Sequence, residues 1–387
     1  MSRSTSGSIV ALVTHARHVP SDQRARFAEA LHREPAGRAL ILETCHRVEA
    51  YTTSADDAAR LARALPAGGL ELTGDLAVRH AMSVAVGCDS VVVGEDQILH
   101  QLRASVDAAR AGSTLEPVLE RLFAHALHAG RRARSWRQGP PRSLADVAIA
   151  SIERLSGPIR GREVLVVGAG RMGRLSARAA GDAGASVAVA NRSASAAEAL
   201  AALVGARTEA YDPDDRIGRF AGVIVALAGP WPIGAATIEV LARSTTVVVD
   251  LSVPPAVPAR LADLLGVRLI TADAIAVADP EPGALQDGPA GRFETLIEDA
   301  TGEFIAWQRR RDGRTTAQAL VERADREREA QLAALWRRVR DLEPEARDAV
   351  EVMARHLGAR LLREPLERLG RDPDGRDARA IRDIFGL

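Results

Sequence analysis

Apolar and polar positions divide the chain into three regimes. From Ser8 to Thr14 an apolar run reads as a strand, followed by helix-like stretches and a second short run, Ala39 to Leu42, which leads into Glu43-Thr44-Cys45-His46-Arg47. Short runs of this kind among helical stretches predict an α+β domain. Gly139-Pro140-Pro141 breaks any helix before it, because proline donates no N–H and restricts the residue in front of it, so the first domain is taken as 1–145. Between Glu163 and about Ala274, five runs (Val164 to Val167, Val187 to Val189, Val223 to Ala226, Val247 to Asp250, Val267 to Ile270) alternate with alanine- and leucine-rich stretches. That alternation predicts a parallel sheet with helices on both faces over 146–284. Beyond the Pro- and Gly-rich stretch Pro280 to Pro289 the chain is nearly continuous helix former to Leu362, and 285–387 is read as a long helix and a helical domain. There Leu332, Leu335, Val339 and Leu342 place an apolar stripe on one helix face, suited to packing within the domain or to dimerisation.

Composition narrows the chemistry. With 387 residues, 47% hydrophobic and 26% charged, the chain is of ordinary globular make-up. Its 51 basic and 51 acidic residues cancel, so a nucleic-acid partner must be met by a local patch. All the basic residues are arginine. Without lysine there is no Walker A phosphate loop, no pyridoxal-phosphate Schiff base and no lysine-dependent aldolase. Two cysteines, Cys45 and Cys88, are too few for a disulfide framework or a four-cysteine zinc site, and no metal site is expected. The apolar run near the amino terminus is too short for a signal-peptide core, and no stretch reaches the roughly 20 apolar residues of a membrane span. The expectation is a cytoplasmic protein, not membrane-bound, with reduced thiols.

The strongest motif is Val164-Leu-Val-Val-Gly168-Ala169-Gly170-Arg171-Met172-Gly173, a buried-strand pattern running through G-x-G-x-x-G into an alanine-rich helix. Such glycines let the backbone turn tightly and approach a pyrophosphate, which the helix amino terminus then binds. About 20 residues on, where an NAD-binding chain places a carboxylate, stand Asn191, Arg192 and Ser193. A guanidinium with hydrogen-bond donors suits a 2′-phosphate, so NADPH is the expected cofactor. Cys45 follows an apolar run and has Thr44, His46, Arg47 and Glu49 close by. Cationic neighbours raise a thiol's thiolate fraction, as a nucleophile needs, although a single cysteine is more often a small buried hydrophobe. His80 falls in a helical stretch, and Glu95, Asp96, Gln97 and Gln101 open another, where they suit a polar ligand or a helix cap. His125 and His128 share a helix face, but no third metal ligand stands nearby. Arg131, Arg132, Arg134, Arg137 and Arg142 surround Trp136 and suit phosphate contact with base stacking, or a solvated face.

Taken in order, these motifs resemble the glutamyl-tRNA reductase family along nearly the whole chain. Thr44-Cys45-His46-Arg47-Val48-Glu49 is similar to its T-C-N-R-x-E, and Cys88-Asp89-Ser90 through Gly94-Glu95-Asp96-Gln97-Ile98-Leu99 to its G-L-D-S-x-x-x-G-E-x-Q-I-L. The dinucleotide fingerprint, Asn191-Arg192-Ser193, Asp250-Leu251-Ser252-Val253-Pro254 and a helical tail with Arg363-Glu364-Pro365 follow. The resemblance implies a homodimer with an amino-terminal catalytic domain, a Rossmann-type NADP-binding domain and a carboxy-terminal helical dimerisation domain. It implies that Cys45 attacks the ester of glutamyl-tRNA and holds a thioester that NADPH reduces to glutamate-1-semialdehyde, the entry to 5-aminolevulinate and porphyrin biosynthesis. Arg47 would pair with the substrate carboxylate, and Thr44, Ser90, Glu95, Gln97 and Gln101 would hold its amino group and backbone. His46, Glu49 and Asp96 complete the binding set, and His80 would lie near the cysteine and be catalytic with it. An aminomutase for the unstable aldehyde is the partner this chemistry suggests. This sequence departs from the pattern at His46, where the family has Asn, and at Glu43. As imidazolium, His46 would lower the Cys45 pKa; a like charge at Glu43 would raise it. Two other functions fit: a catalytically impaired paralogue that binds NADPH, tRNA or a partner as a regulator, and a tRNA-independent NADP oxidoreductase.

Overall fold

The computed structural model describes residues 8–33, 39–88, 96–112, 115–136, 143–277, 289–372 and 374–387. The first apolar run forms β1 (Val10–His15), followed by α1 (Ser21–Arg33), β2 (Leu40–Glu43), β3 (Arg47–Thr52), α2 (Ala55–Ala62), β4 (Leu70–Thr73), α3 (Asp75–Val86), α4 (Asp96–Gly112) and α5 (Pro117–Ser135). The four strands make an antiparallel sheet in the order β2-β3-β1-β4. All six residues of β3 are buried, so both its faces are covered. Side chains alternate across a strand: Val48 and Ala50 join Leu12, Phe27, Leu31 and Leu61 in the core under α1 and α2. Arg47, Glu49 and Tyr51 take the opposite face, where the Tyr51 ring meets Phe123 of α5 edge-on at 5.0 Å. Helices α3 and α5 approach so closely that a Cβ at Gly130 would lie 2.5 Å from the Ala85 carbonyl oxygen.

The second sheet is preceded by α6 (Leu144–Ser156). Its elements are β5 (Glu163–Val167), α7 (Arg171–Asp182), β6 (Ser186–Ala190), α8 (Ala194–Val204), β7 (Arg207–Thr208), β8 (Gly222–Val225), α9 (Ala235–Arg243), β9 (Val247–Asp250), α10 (Ala259–Leu265), β10 (Leu269–Thr271) and α11 (Ala272–Val277). Its strands are parallel, in the order β10-β9-β8-β5-β6-β7. Two apolar cores cover its faces, one around Leu165, Val223 and Trp231, the other around Val164, Ile224 and Ile152. Strand order reverses between β5 and β8, and a doubly wound sheet opens its ligand crevice at such a point.

One compact unit runs to Ala300 and holds both sheets; residues 301–387 form a second. Helix α12 (Pro289–Arg338) is followed by α13 (Pro344–Gly370) and α14 (Arg376–Phe385), and Leu320, Leu369, Ala378 and Ile381 form a small core in the second unit. The sequence reads as nearly continuous helix former here, but α12 ends at Arg338. Pro344 opens α13 and Glu343 before it is extended, so Val339 and Leu342 fall outside the helix that carries Leu332 and Leu335. Among the described residues no helix is long and apolar enough to cross a membrane.

Candidate active site

Strands β2 and β3 pair down to Glu43 and Val48, leaving residues 44–46 as a tight turn. The Thr44 hydroxyl oxygen accepts from the backbone N–H of His46 (3.2 Å) and Arg47 (3.1 Å), and Thr44 N–H donates to the Arg47 carbonyl (2.9 Å). A threonine that satisfies its own turn in this way fixes the loop without help from a helix or sheet. Cys45 sits at the tip, half-buried, and its carbonyl accepts from Arg24 Nη2 at 2.9 Å. His46 Nε2 lies 3.2 Å from the Ala272 carbonyl oxygen. A carbonyl only accepts, so Nε2 carries the proton and Nδ1 the lone pair. Burial, reinforced by the charges of Arg24 and Arg47, lowers the His46 pKa to about 4. At neutral pH the ring is therefore uncharged, and the expectation that an imidazolium at His46 acidifies Cys45 is corrected.

Under the loop, Arg47 and Glu49 are 2% and 0% exposed. Arg47 Nη1 donates to Glu49 Oε1 (3.1 Å), His80 Nε2 approaches the same oxygen from α3 (2.9 Å), and the Tyr51 hydroxyl donates to Oε2 (2.6 Å). Burial by itself pushes the Glu49 carboxyl up, but His80, Arg47 and Tyr51 together outweigh it and bring the pKa down to about 2. A buried carboxylate with three donors keeps its charge and pins the Arg47 guanidinium.

A small cleft of about 30 Å³ is lined by Thr44, Cys45, His46 and Arg47, by Gln97, Ile98 and Gln101 of α4, and by Leu144 and Met172. The cysteine turn, the α4 amides and the dinucleotide loop thus meet at one hollow. Gln97 Nε2 is buried and makes no hydrogen bond among the described residues, which leaves a donor for a polar ligand. Asp96 is the first residue of α4; its side chain, with Ser90 and Glu95, lies outside the described residues.

At the dinucleotide loop, Gly168 has φ +117, and a Cβ there would lie 2.2 Å from the Ala226 carbonyl oxygen. A Cβ at Gly173 would lie 1.9 Å from the Gly168 carbonyl oxygen, whereas one at Gly170 meets nothing within 4 Å. The first and third glycines therefore close the turn, and the second faces the open space at the amino end of α7, where Arg171 and Met172 begin the helix. Asn191 Oδ1 accepts from Ala169 N–H (3.3 Å), and Ser193 caps α8. Arg192 is exposed beside Tyr211, whose pKa burial raises and Arg192 opposes. Buried Asp250, pushed up by burial, accepts from the N–H groups of Ser252, Ala256 and Val257 and shapes the facing loop. These residues fit a dinucleotide. Gly173→Ala is expected to lower the affinity for a nicotinamide dinucleotide at least about tenfold, since even the smallest side chain must displace backbone; cofactor fluorescence titration checks it.

Of the arginines around Trp136, Arg137 and Arg142 lie outside the described residues. Arg134 donates to the Ala85 and Gly130 carbonyls, and Trp136 stacks on Phe293 with Arg132 and Arg292 over its ring. No group of three or more metal-ligating side chains occurs among the described residues. Sequence reading missed Tyr51, which strand alternation places on the face of Arg47 and Glu49, and Arg24 and Asp273, which only folding brings to the site.

Residues 10–136 match the model of the glutamyl-tRNAGlu reductase N-terminal domain, 292–387 that of the glutamyl-tRNAGlu reductase dimerisation domain, and 150–277 that of shikimate / quinate 5-dehydrogenase. The chain is 33% identical to the glutamyl-tRNA reductase of Salinispora arenicola, over 95% of this chain and 87% of that one. It is 34% identical to that of Halobacterium salinarum, over 88% and 81%. Among solved structures, the glutamyl-tRNA reductase from Methanopyrus kandleri shares the fold, with a TM-score of 0.51 and 24% identity over 98% of this chain and 99% of that one. On these matches, the chain belongs to the glutamyl-tRNA reductase family.

Proposed function

We propose that the protein reduces glutamyl-tRNA to glutamate-1-semialdehyde with NADPH, through a thioester on Cys45. The observation that carries this is the single cleft shared by Cys45, Gln97, Gln101 and Met172. The Cys45 sulfur forms a bond to the ester carbonyl carbon, the bond to the tRNA ribose oxygen breaks, and the thiol proton ends on that oxygen. Bound NADPH supplies the hydride to the thioester carbonyl; the carbon–sulfur bond breaks, and a solvent proton restores the thiol. Arg47, held by Glu49, faces the glutamyl carboxylate, while Gln97, Gln101 and Thr44 hold its amino group and backbone. Arg192, Asn191 and Ser193 favour the 2′-phosphate of NADPH over NADH. NADPH consumption should occur with charged glutamyl-tRNA and not with uncharged tRNA or free glutamate, and NADH should be used poorly. Oxidation without tRNA would overturn the assignment.

The same reading makes the second unit a homodimer interface. Helix α13 exposes Val352, Met353, Leu357 and Leu361, the last three spaced by four residues on one face. Within a segment that matches a dimerisation domain, that face suits a second copy of the chain. Leu357→Arg buries a charge at such an interface and is expected to yield a monomer by light scattering. An aminomutase that consumes the aldehyde is the partner this activity calls for.

A further inference from the structure

Arg24 lies in α1 yet is 1% exposed. Its Nη1 donates to the Val19 carbonyl (2.7 Å), and its Nη2 donates both to the Cys45 carbonyl (2.9 Å) and to Asp273 Oδ1 (2.8 Å). Asp273 Oδ2 accepts from Ser21 N–H, the first residue of α1, at 2.9 Å. One residue earlier, the Ala272 carbonyl holds the His46 ring. Ala272 and Asp273 open α11, directly after β10, the edge strand of the second sheet. The main chain at the nucleophile and the side chain after it are thus both tied to the start of one helix of the cofactor domain. A buried ion pair adds little net stability by itself, but it fixes geometry. Misplacing reacting groups by about 1 Å costs about a hundredfold in rate.

We propose that Arg24 and Asp273 are a positioning pair that holds the Cys45 turn against the cofactor domain, so that the thioester is presented to the nicotinamide. Arg24, 1% exposed, acts on the nucleophile through the Cys45 carbonyl, and the pair's contribution rests on the thioester reading above. It predicts a split between the two half-reactions. Attack by Cys45 depends on the turn and the cleft alone, whereas hydride transfer depends on the register between the turn and the second sheet.

The test uses full-length protein with Asp273→Asn, Arg24→Lys and Arg24→Met. Thioester accumulation without NADPH should stay within about threefold of the parent in Asp273→Asn, while single-turnover hydride transfer at saturating NADPH falls at least about tenfold and the KM for NADPH is little changed. Amide exchange at residues 44–47 should accelerate at least about tenfold. Arg24→Lys should recover more of the hydride-transfer rate than Arg24→Met. Equal losses in both half-reactions, or unchanged exchange at 44–47, would overturn the proposal. If the parent protein forms no thioester, the reductase reading fails, and exchange at 44–47 still decides whether the pair holds the turn.

Discussion

Cys45→Ser is expected to bind NADPH as the parent does and to lose at least about a thousandfold in tRNA-dependent NADPH consumption. The two side chains differ by one atom, so the half-buried turn, which Thr44 closes through the backbone of His46 and Arg47, has no reason to change. The loss is chemical. A serine hydroxyl stays protonated at neutral pH and needs a general base to become a nucleophile, whereas a cysteine ionises within reach of it. His46, whose pKa burial lowers to about 4, is a weak base, and His80 is engaged by Glu49. Stopped-flow NADPH consumption beside a cofactor titration separates lost chemistry from lost binding. A serine variant retaining a tenth of the activity would show that Cys45 is not the attacking atom.

The second large effect is on stability. Glu49→Gln keeps the shape of the side chain but removes the buried carboxylate that is paired with the Arg47 guanidinium, itself 2% exposed. Removing one member of a buried ion pair costs about 3–5 kcal/mol, because the remaining charge stays desolvated. The pH dependence follows from the direction of the Glu49 shift. Its carboxyl lies at about 2 in the folded protein against an ordinary 4.5, so the folded state favours the ionised form. That stabilisation is complete above 4.5 and is lost as the pH falls toward 2. Urea midpoints of parent and variant should differ by a constant amount near neutrality and converge on acidification below 4.5. A gap that does not change with pH would show that Glu49 acts through packing.

The second sheet was legible because strands buried on both faces are continuous β-branched runs. Val164 to Val167, Val187 to Val189 and Val247 to Asp250 fall on β5, β6 and β9 almost residue for residue. Strand β7 carries only Arg207 and Thr208, with no apolar run to mark it. Strand β3 alternates charge with apolar residues and looks half-exposed, yet helices cover both its faces and its charges satisfy one another. The motif around Cys45 marked the candidate nucleophile but not what fixes its turn. Arg24 and Asp273 are 249 residues apart, and no local periodicity links them. The neutrality of His46 was equally hidden, because it depends on burial against Ala272, 226 residues away.

Mass spectrometry of the protein mixed with charged glutamyl-tRNA in the absence of NADPH decides whether Cys45 takes up the acyl group. The account predicts one glutamyl group on the peptide that contains Cys45, labile to hydroxylamine and discharged as aldehyde when NADPH is added. An unmodified Cys45 in protein that nevertheless consumes NADPH with the same substrate would contradict it.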